Sequence, residues 1–253
     1  MPDFSSQAII LRTVDYSDSD KIVTFFTSGY GKFTAIAKGA KKSIKRFGGT
    51  LELFSFVDVV WSRGQRKGLP ILKEVAIIKP FDRIRTDIFK TAYASYWSEL
   101  IYKWMEAGQQ HYLSFELLSH LLSCLDKDEV NDDVLSIFFQ AKFLAFCGFS
   151  PNLERCSICQ KPLDNFSGKS IGFSFKKGAI ICSECPAKKG ILSFSRGTLK
   201  QLLWVFNAPL DKAFRIRFSK ESKEEGIRFV ETFVTYCFDK EFKSLKFLRD
   251  IRN

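Results

Sequence analysis

The chain has 253 residues, 45% of them hydrophobic, so it is long enough to bury cores in two or three compact units. This length and composition exclude a disordered tail and a disulfide-stapled mini-protein. Lys and Arg total 39 against 28 Asp and Glu, and the resulting formal charge of +11 favours a polyanionic partner, with nucleic acid or an anionic membrane surface first.

The charge is divided along the chain. Residues 1–80 carry a net charge of +6, residues 81–150 carry −4, and residues 151–253 carry +9. We therefore expect a polyanion to contact the two ends. The start of the chain, Met1 to Ile10, has neither a basic segment nor a long apolar segment, and the seven cysteines are an odd, modest number. These features predict a reducing cytoplasm, and no apolar run approaches the ~18 to 20 residues that span a bilayer, so we expect a soluble protein.

The first 80 residues predict a small β domain. Its short segments are rich in β-branched and aromatic residues and are separated by turn residues. The predicted strands are Gln7–Val14, Lys21–Thr27, Phe33–Lys38, Thr50–Ser62 and Leu69–Ile78. Five short strands fit a closed barrel of the oligonucleotide-binding type better than an open sheet with exposed edges.

A basic loop joins the third and fourth predicted strands. Its cations are Lys38, Lys41, Lys42, Lys45 and Arg46, and a second basic turn carries Arg63, Arg66 and Lys67. Cations on a glycine-flanked, flexible loop suit contact with phosphates, which is largely independent of base sequence. The alternative is an ordinary solvated loop. The neighbouring Phe33, Phe47 and Phe54 are candidates for base stacking, although core packing suits most of them better.

From Phe81 onward the apolar spacing changes to three and four residues, which predicts helices. One long helix is expected to end near Gly108, a second covers Phe115 to Leu125, and a third is capped by Asp132 or Asp133 and ends at Gly148. Further helices are expected at Leu199–Phe206 and Glu221–Phe238, followed by a basic, aromatic end. This end could dock its apolar residues on the helical body, but a solvated terminal helix is the slightly favoured interpretation. The predicted helical domain comprises residues 81–153 and 190–253, so the fold class is α+β.

Two CxxC pairs are the most specific local signal. Cys156 and Cys159 form the first pair, and Cys182 and Cys185 form the second after 22 intervening residues. A hairpin of Ile171–Phe175 with Ala179–Ile181 would deliver the second pair beside the first. Four cysteines at this spacing predict one closed, structural Zn²⁺ site in a module of residues 154–189.

Motifs for several enzyme classes are absent from the sequence: it has no Walker loop, no HExxH and no GxSxG. Asp15, Asp18 and Asp20 could bind Mg²⁺ in a nuclease, but aspartates also have ordinary roles in turns. His111 and His120, nine residues apart, are interpreted as structural or exposed. We therefore predict that the protein is not an enzyme. A structured-RNA or ribosome-associated zinc protein would share the barrel, the basic ends and the cysteine module, and stays as an alternative.

The order of several segments resembles the bacterial RecO family of DNA repair and recombination mediators. The segments that carry the resemblance are Ala8–Leu11, Tyr16–Val23, Phe26–Thr27 with Gly31–Lys32, Ala37–Ser43, Ser98–Leu100, Gly148–Pro151 and Leu245–Leu248. The resemblance runs nearly end to end.

This resemblance implies an oligonucleotide-binding barrel, a helical domain and an inserted zinc module. It also implies binding to single- and double-stranded DNA, annealing of complementary strands, and work with RecR to load RecA onto strands coated by single-stranded DNA-binding protein. The implied location is the bacterial cytoplasm and its nucleoid. Gln160 departs from the family pattern, in which a glycine often follows the second cysteine, so the geometry of that turn needs inspection.

Overall fold

The computed structural model describes residues 3–63, 68–168, 170–186, 192–209 and 216–252, without the side chains of residues 44 and 45. The strands are β1 (Asp3–Asp15), β2 (Lys21–Thr27), β3 (Gly31–Ala37), β4 (Phe56–Ser62), β5 (Ile71–Lys79), β6 (Ser170–Ser174), β7 (Ala179–Ile181) and β8 (Leu192–Ser195). The helices are α1 (Ile44–Phe47), α2 (Asp82–Thr86), α3 (Ile88–Trp104), α4 (Tyr112–Lys127), α5 (Asp132–Phe146), α6 (Arg196–Asn207), α7 (Lys220–Phe238) and α8 (Lys243–Arg252).

The chain divides into two compact units. The first comprises residues 1–128 and 242–253, and the second comprises residues 129–241. Helices of the predicted helical domain occur in both units, and the boundaries predicted for that domain stay a prediction. Among the helices of the described ranges, none combines the length and the hydrophobicity of a membrane-spanning segment.

The strands of the first unit form a closed barrel, which confirms the predicted fold class. Their order is β1-β2-β3-β5-β4, and the pairs are antiparallel except for β3 and β5, which run parallel where Ile36 faces Ile71. Alternate side chains point inward and fill the barrel, among them Ile10, Phe25 and Val59. Phe26 is buried outside this core, where it contacts Phe115 of α4, so the barrel is covered on one side by a helix.

The fourth strand is shorter than predicted. Only Phe56–Ser62 is a strand, because Phe54 has a left-handed backbone with φ of 69°. Its N–H donates to the carbonyl of Ile10 at 2.9 Å, and the N–H of Ile10 donates to the carbonyl of Ser55 at 3.2 Å. These bonds attach the segment to the bulge in β1. The strand predicted over Thr50–Ser62 is therefore wrong for residues 50–55, where tertiary hydrogen bonds decide the local conformation.

The predicted long helix after Phe81 is interrupted. Asp87 has an extended backbone, and its carboxylate accepts the N–H groups of Phe89 at 2.8 Å and Lys90 at 3.1 Å. Aspartate in this position is a strong N-cap, so it ends α2 and begins α3. The cap of α5 also differs from the prediction, because the side chain of Asn131, one residue earlier, accepts the N–H of Val134.

The C-terminal helix α8 packs on α3, so the end of the chain is docked and the favoured interpretation of a solvated helix is wrong. Leu245 and Leu248 are buried, and Phe242 contacts the ring of Tyr96. The carboxylate of Glu99 accepts the N–H of Ser244 at 2.9 Å, close to the start of α8. Burial raises the pKa of Glu99, but hydrogen bonds from Lys103 and Ser244 outweigh it and hold the pKa below its ordinary value.

We expect Gly31→Ala to lower the free energy of unfolding of the chain by roughly 2 to 4 kcal/mol. Gly31 has φ of 67°, and an added Cβ would lie 1.9 Å from the carbonyl oxygen of Gln109. Gly49→Ala is the matched control, because Gly49 has φ of 70° with nothing within 4 Å of its Cβ position. Urea unfolding followed by circular dichroism measures both losses, and equal losses would contradict the close packing of the 105–110 loop on the β2–β3 turn.

The second unit combines helices with a small sheet. The sheet order is β7-β6-β8, so the predicted hairpin of β6 and β7 is confirmed, while β8 was not predicted. Phe173 of β6 packs edge-on against Phe229 and Phe233 of α7. This aromatic contact joins the sheet that carries the cysteines to the helices of the same unit.

A buried lysine lies between two helices of the second unit. Lys142 of α5 is 5% exposed, and its Nζ donates to the carbonyl oxygen of Phe206, near the end of α6, at 2.8 Å. Burial lowers the pKa of Lys142 to about 8. The unfolded chain has an ordinary lysine pKa of about 10.4, so the cost to stability is fully present below pH 8 and decreases as the pH rises toward that value.

We therefore expect Lys142→Met to be more stable than the parent by about 2 kcal/mol at pH 7, net of the lost hydrogen bond, with the gain shrinking at pH 10. Urea unfolding at the two pH values measures the difference. Lys176→Met, at an exposed lysine, is the control and should change stability little at either pH. A difference that does not depend on pH would contradict the role given to burial.

Candidate nucleic-acid interface and metal centre

Hydrogen bonds order the basic loop after β3, whereas its flanking glycines predicted a flexible loop. The N–H of Gly39 donates to Asp20 Oδ1 at 2.8 Å, and the N–H of Lys41 donates to the carbonyl of Ser19 at 2.9 Å. The bond from Gly39, followed by that from Ser19 Oγ, lowers the pKa of Asp20. The β1–β2 turn therefore fixes the start of the loop, and Asp20 serves the fold.

The predicted cations of this loop have different surroundings. Lys38 and Lys42 are exposed, and among the described residues neither forms an ion pair. Lys41 Nζ lies 3.1 Å from Asp15 Oδ2 and donates to the carbonyl of Ser17. Because both partners of this pair are exposed, it is weak and competes poorly with a phosphate.

Arg46 has a structural contact as well as a charge. Its Nη2 donates to the carbonyl of Lys73 at 3.0 Å, and its guanidinium lies 4.8 Å from the ring centre of Phe47. The side chain of Lys45 is outside the described part of the structure, and so are residues Arg66 and Lys67.

The start of β5 adjoins both basic segments. Ile36, just before the first segment, donates its N–H to the carbonyl of Pro70 at 2.8 Å. Ser62, just before Arg63, faces Ile71 in the β4–β5 pair, and Arg46 binds the carbonyl of Lys73 two residues further along β5. The start of β5 is therefore next to the residue that precedes Arg63 and to the strand that leads into the first segment, and Arg46 binds the same strand.

Lys73 belongs to the same region and was missed by the sequence analysis. Its side chain is 44% exposed and its Nζ lies 2.8 Å from Asp3 Oδ1. Only the pairing of β5 with its neighbours identifies it, since a single lysine in a strand carries no sequence signal.

The aromatic residues singled out near the loop are buried or packed against the barrel core. Phe47 and Phe54 are buried, and half-buried Phe33 stacks on Trp61 with ring centres 4.4 Å apart. Phe47 and Phe54 are therefore not available to bases, as the core interpretation predicted.

The four cysteines of the CxxC pairs form one cluster in the second unit. All four Sγ atoms lie within 4.8 Å of one another. Sγ of Cys156 lies 3.9 Å from that of Cys185, and Sγ of Cys159 lies 3.6 Å from that of Cys182. The predicted grouping is confirmed, and the cluster could hold a metal ion.

Backbone N–H groups point at the sulfur of Cys156. Those of Ile158 and Cys182 lie 3.5 Å from Sγ. Burial raises the pKa of this thiol, but hydrogen bonds from the backbone of Cys159, Cys182 and Ile158 outweigh burial and lower the pKa to about 6. Contact with Cys182, followed by burial, raises the pKa of Cys185 to about 12. Four thiolates at this distance repel one another, so a bound cation is what allows all of them to ionise.

Gln160 occupies the position where a glycine was expected. Its φ is 60°, in the left-handed region, and its N–H donates to the carbonyl of Cys156 at 3.0 Å. The tight turn of the first CxxC pair therefore forms without a glycine, at a cost of about 1 kcal/mol in backbone conformation.

Other candidate metal ligands are not brought together. Among the described residues, only the cysteine cluster brings three or more His, Cys, Asp or Glu side chains close enough to bind one metal ion. Asp20 is used in the loop, and His120 Nε2 lies 3.7 Å from Cys124 Sγ, one turn away on α4. The aspartates of the acidic turn do not form such a group among the described residues.

The fold and the site together define a class of protein. Its members have a five-stranded barrel of the oligonucleotide-binding type, followed in the chain by helices and a four-cysteine module. A family model described as "Recombination protein O N terminal" matches residues 1–81, and one described as "Recombination protein O C terminal" matches residues 85–246. The chain belongs to the RecO family, which supports a role in DNA repair and recombination. This confirms the resemblance seen in the sequence.

Curated relatives cover the full length of the chain. DNA repair protein RecO of Desulfatibacillum aliphaticivorans is 43% identical over 100% of this chain and 98% of its own length. DNA repair protein RecO of Desulfosudis oleivorans is 40% identical over 100% of both chains. The protein of the same name from Syntrophus aciditrophicus is 35% identical over 98% of this chain and 95% of its own length.

Proposed function

We propose that this chain is a non-enzymatic recombination mediator that binds and anneals single-stranded DNA. Together with RecR, it helps to load RecA onto strands coated by single-stranded DNA-binding protein, and it also binds double-stranded DNA. Its place is the bacterial cytoplasm, at the nucleoid. The observation that carries the proposal is that β5, in a barrel of the oligonucleotide-binding type, lies beside both Arg46 and the strand end that carries Arg63.

The proposed DNA contacts are cationic side chains of the two basic segments. They are Lys38, Lys41, Lys42, Lys45, Arg46, Arg63, Arg66 and Lys67. Exposed Lys38, Lys42 and Arg63 are the first to meet phosphates, whereas Arg46 must also keep its contact with β5.

Annealing by such a surface needs no bond to be made or broken in the protein. Two complementary strands repel each other through their phosphates, and cations that neutralise part of this charge lower the barrier to their approach. Binding that ignores base sequence leaves the base edges free to pair. Neither a nucleotide cofactor nor a general acid or base enters this mechanism.

We further propose that Cys156, Cys159, Cys182 and Cys185 hold one structural Zn²⁺. A cluster of four sulfur ligands suits Zn²⁺ in tetrahedral geometry, and with four protein ligands no position stays open for water. The ion would therefore stabilise the second unit, and its contribution to function is to keep that unit folded.

The alternative is a structured-RNA or ribosome-associated zinc protein, which would use the same cations. Competition between single-stranded DNA and folded RNA at equal salt concentration separates the two functions. Preference for folded RNA would favour the alternative.

The test of the proposed function is the annealing of complementary strands that are coated with single-stranded DNA-binding protein, with and without this chain, in the absence of any nucleotide. We expect the chain to accelerate annealing. If the rate is unchanged, the mediator function is wrong. Incubation with Mg²⁺ should leave the strands intact, and cleavage would contradict the non-enzymatic role.

A further inference from the structure

Aromatic rings gather at the end of the barrel where β1 begins and β4 ends. We call Phe4, Tyr30, Phe33 and Trp61 the mouth cluster. The rings of Phe4 and Trp61 are stacked with centres 5.7 Å apart, and Phe33 stacks on Trp61. Tyr30 stands perpendicular to both members of the first pair, 5.8 Å from Phe4 and 5.1 Å from Trp61.

Tyr30 is the exposed member of this cluster. Its side chain is 43% exposed, whereas Trp61 is 5% exposed and Phe4 and Phe33 are half-buried. The N–H of Tyr30 donates to Thr27 Oγ1 at 2.9 Å, which fixes the backbone of the β2–β3 turn. A large aromatic ring is therefore held at the surface in one orientation by two ring contacts and a hydrogen-bonded turn. Such a ring loses little conformational entropy when a flat ligand stacks on it.

A cation is held beside the same cluster. The guanidinium of Arg63 lies 5.5 Å from the ring centre of Phe4, and its side chain is exposed. Lys73 is nearby, because Leu72 faces Trp61 in the β4–β5 pair and Lys73 binds Asp3 next to Phe4. An aromatic platform next to positive charge is the combination that binds single-stranded nucleic acid, with a base on the ring and a phosphate on the cation.

We propose that Tyr30 is a stacking platform for one unpaired base of single-stranded DNA, with Arg63 binding a neighbouring phosphate. This inference rests on the proposed function and assigns it a specific contact. Bases in a duplex are paired and stacked on each other, so they cannot lie on Tyr30. The mouth cluster therefore distinguishes unpaired from paired strands, which the cations of the basic segments cannot do, and it releases a strand once it has paired.

The test compares Tyr30→Leu with Tyr30→Phe and with the parent. Leucine keeps apolar volume against Trp61 but removes the π-face, and phenylalanine keeps the ring. The probes are an oligothymidine strand and an abasic strand of the same length, which carries the same phosphates without bases. Tyr16→Leu is the matched control, since Tyr16 is a 63% exposed tyrosine in the β1–β2 turn, away from the mouth cluster.

We expect Tyr30→Leu to bind oligothymidine about tenfold more weakly and the abasic strand as well as the parent does. Tyr30→Phe and Tyr16→Leu should bind both strands like the parent. The salt dependence should be unchanged in Tyr30→Leu, because no phosphate contact is lost, whereas Arg63→Ala should reduce its slope.

Equal losses on the two strands in Tyr30→Leu, or no loss on either, would overturn the stacking role. Melting followed by circular dichroism checks that each variant is folded. If the leucine variant is not folded, the parent keeps the inference testable, because it should bind oligothymidine more tightly than the abasic strand, and equal affinities would overturn the stacking role. Failure of the proposed DNA-binding function would give a different result from failure of the stacking role. In that case the parent itself would bind neither strand with a salt-dependent affinity.

Discussion

Replacing Lys38, Lys42 and Arg63 together by alanine should weaken binding to single-stranded DNA roughly tenfold or more at physiological salt and reduce the slope of log affinity against log salt by about 2. The three side chains are exposed, and in the described residues none of them forms an ion pair, so their removal costs the fold little. Each phosphate that they neutralise releases counterions, and it is this release that sets the slope. Titration of a labelled strand at four salt concentrations measures both effects.

The control for this variant is Lys176→Ala with Lys177→Ala, which removes two exposed lysines from the β6–β7 turn of the other unit. We expect the slope of this control to equal that of the parent. A DNA-binding surface on the barrel would be contradicted if the triple variant had the same salt slope as the parent. It would also be contradicted if the control lost more affinity for the strand than the triple variant did. Arg46 is left in place because its loss would also remove the hydrogen bond to the carbonyl of Lys73.

Loss of the proposed Zn²⁺ ion should have the largest effect on stability. We expect one Zn²⁺ per chain by elemental analysis, and we expect Cys156→Ser to lose the ion and to destabilise the second unit by on the order of 5 kcal/mol or more. Cys156 is buried and its sulfur accepts hydrogen bonds from backbone N–H groups, so serine removes one of the four thiolate ligands and replaces the sulfur by a smaller, neutral hydroxyl. Metal content and thermal unfolding, before and after treatment with a chelator, measure the effect.

Cys237→Ala is the matched control for the metal site. Cys237 is half-buried in α7, and burial raises the pKa of its thiol to about 11, so it stays protonated and is a poor ligand. This variant should keep one ion per chain. A Cys156→Ser protein that keeps its ion and its melting temperature would show that the cluster is not a structural metal site.

Local sequence patterns predicted much of the fold. A run of β-branched and aromatic residues between two turns predicted β2 with its observed ends, and the two CxxC pairs predicted the cysteine cluster, because both features depend on residues close in sequence. The strand predicted from Thr50 failed because Phe54 and Ser55 bond to Ile10, far away in sequence. The helix break at Asp87 was missed because its carboxylate cap interrupts an apolar pattern that continues on both sides.

The candidate DNA surface could be predicted only in part. Charge marked the two basic segments, but their position beside β5 depends on the parallel pairing of Ile36 with Ile71, which closes the barrel and has no local signal. The same closure brings Tyr30 to Trp61 across the barrel mouth. The aromatic residues nearest the basic loop in sequence were therefore poor candidates for base stacking. The exposed ring of Tyr30 comes from the β2–β3 turn, which has no basic residues to mark it in the sequence.

Protection of lysines from reductive methylation tests the central claim most directly. The chain is methylated with and without a saturating single strand, and mass spectrometry gives the extent of modification at each lysine. The account predicts protection of Lys38 and Lys42 and none at Lys176 and Lys177. Protection of the second pair with full reactivity of the first would contradict it.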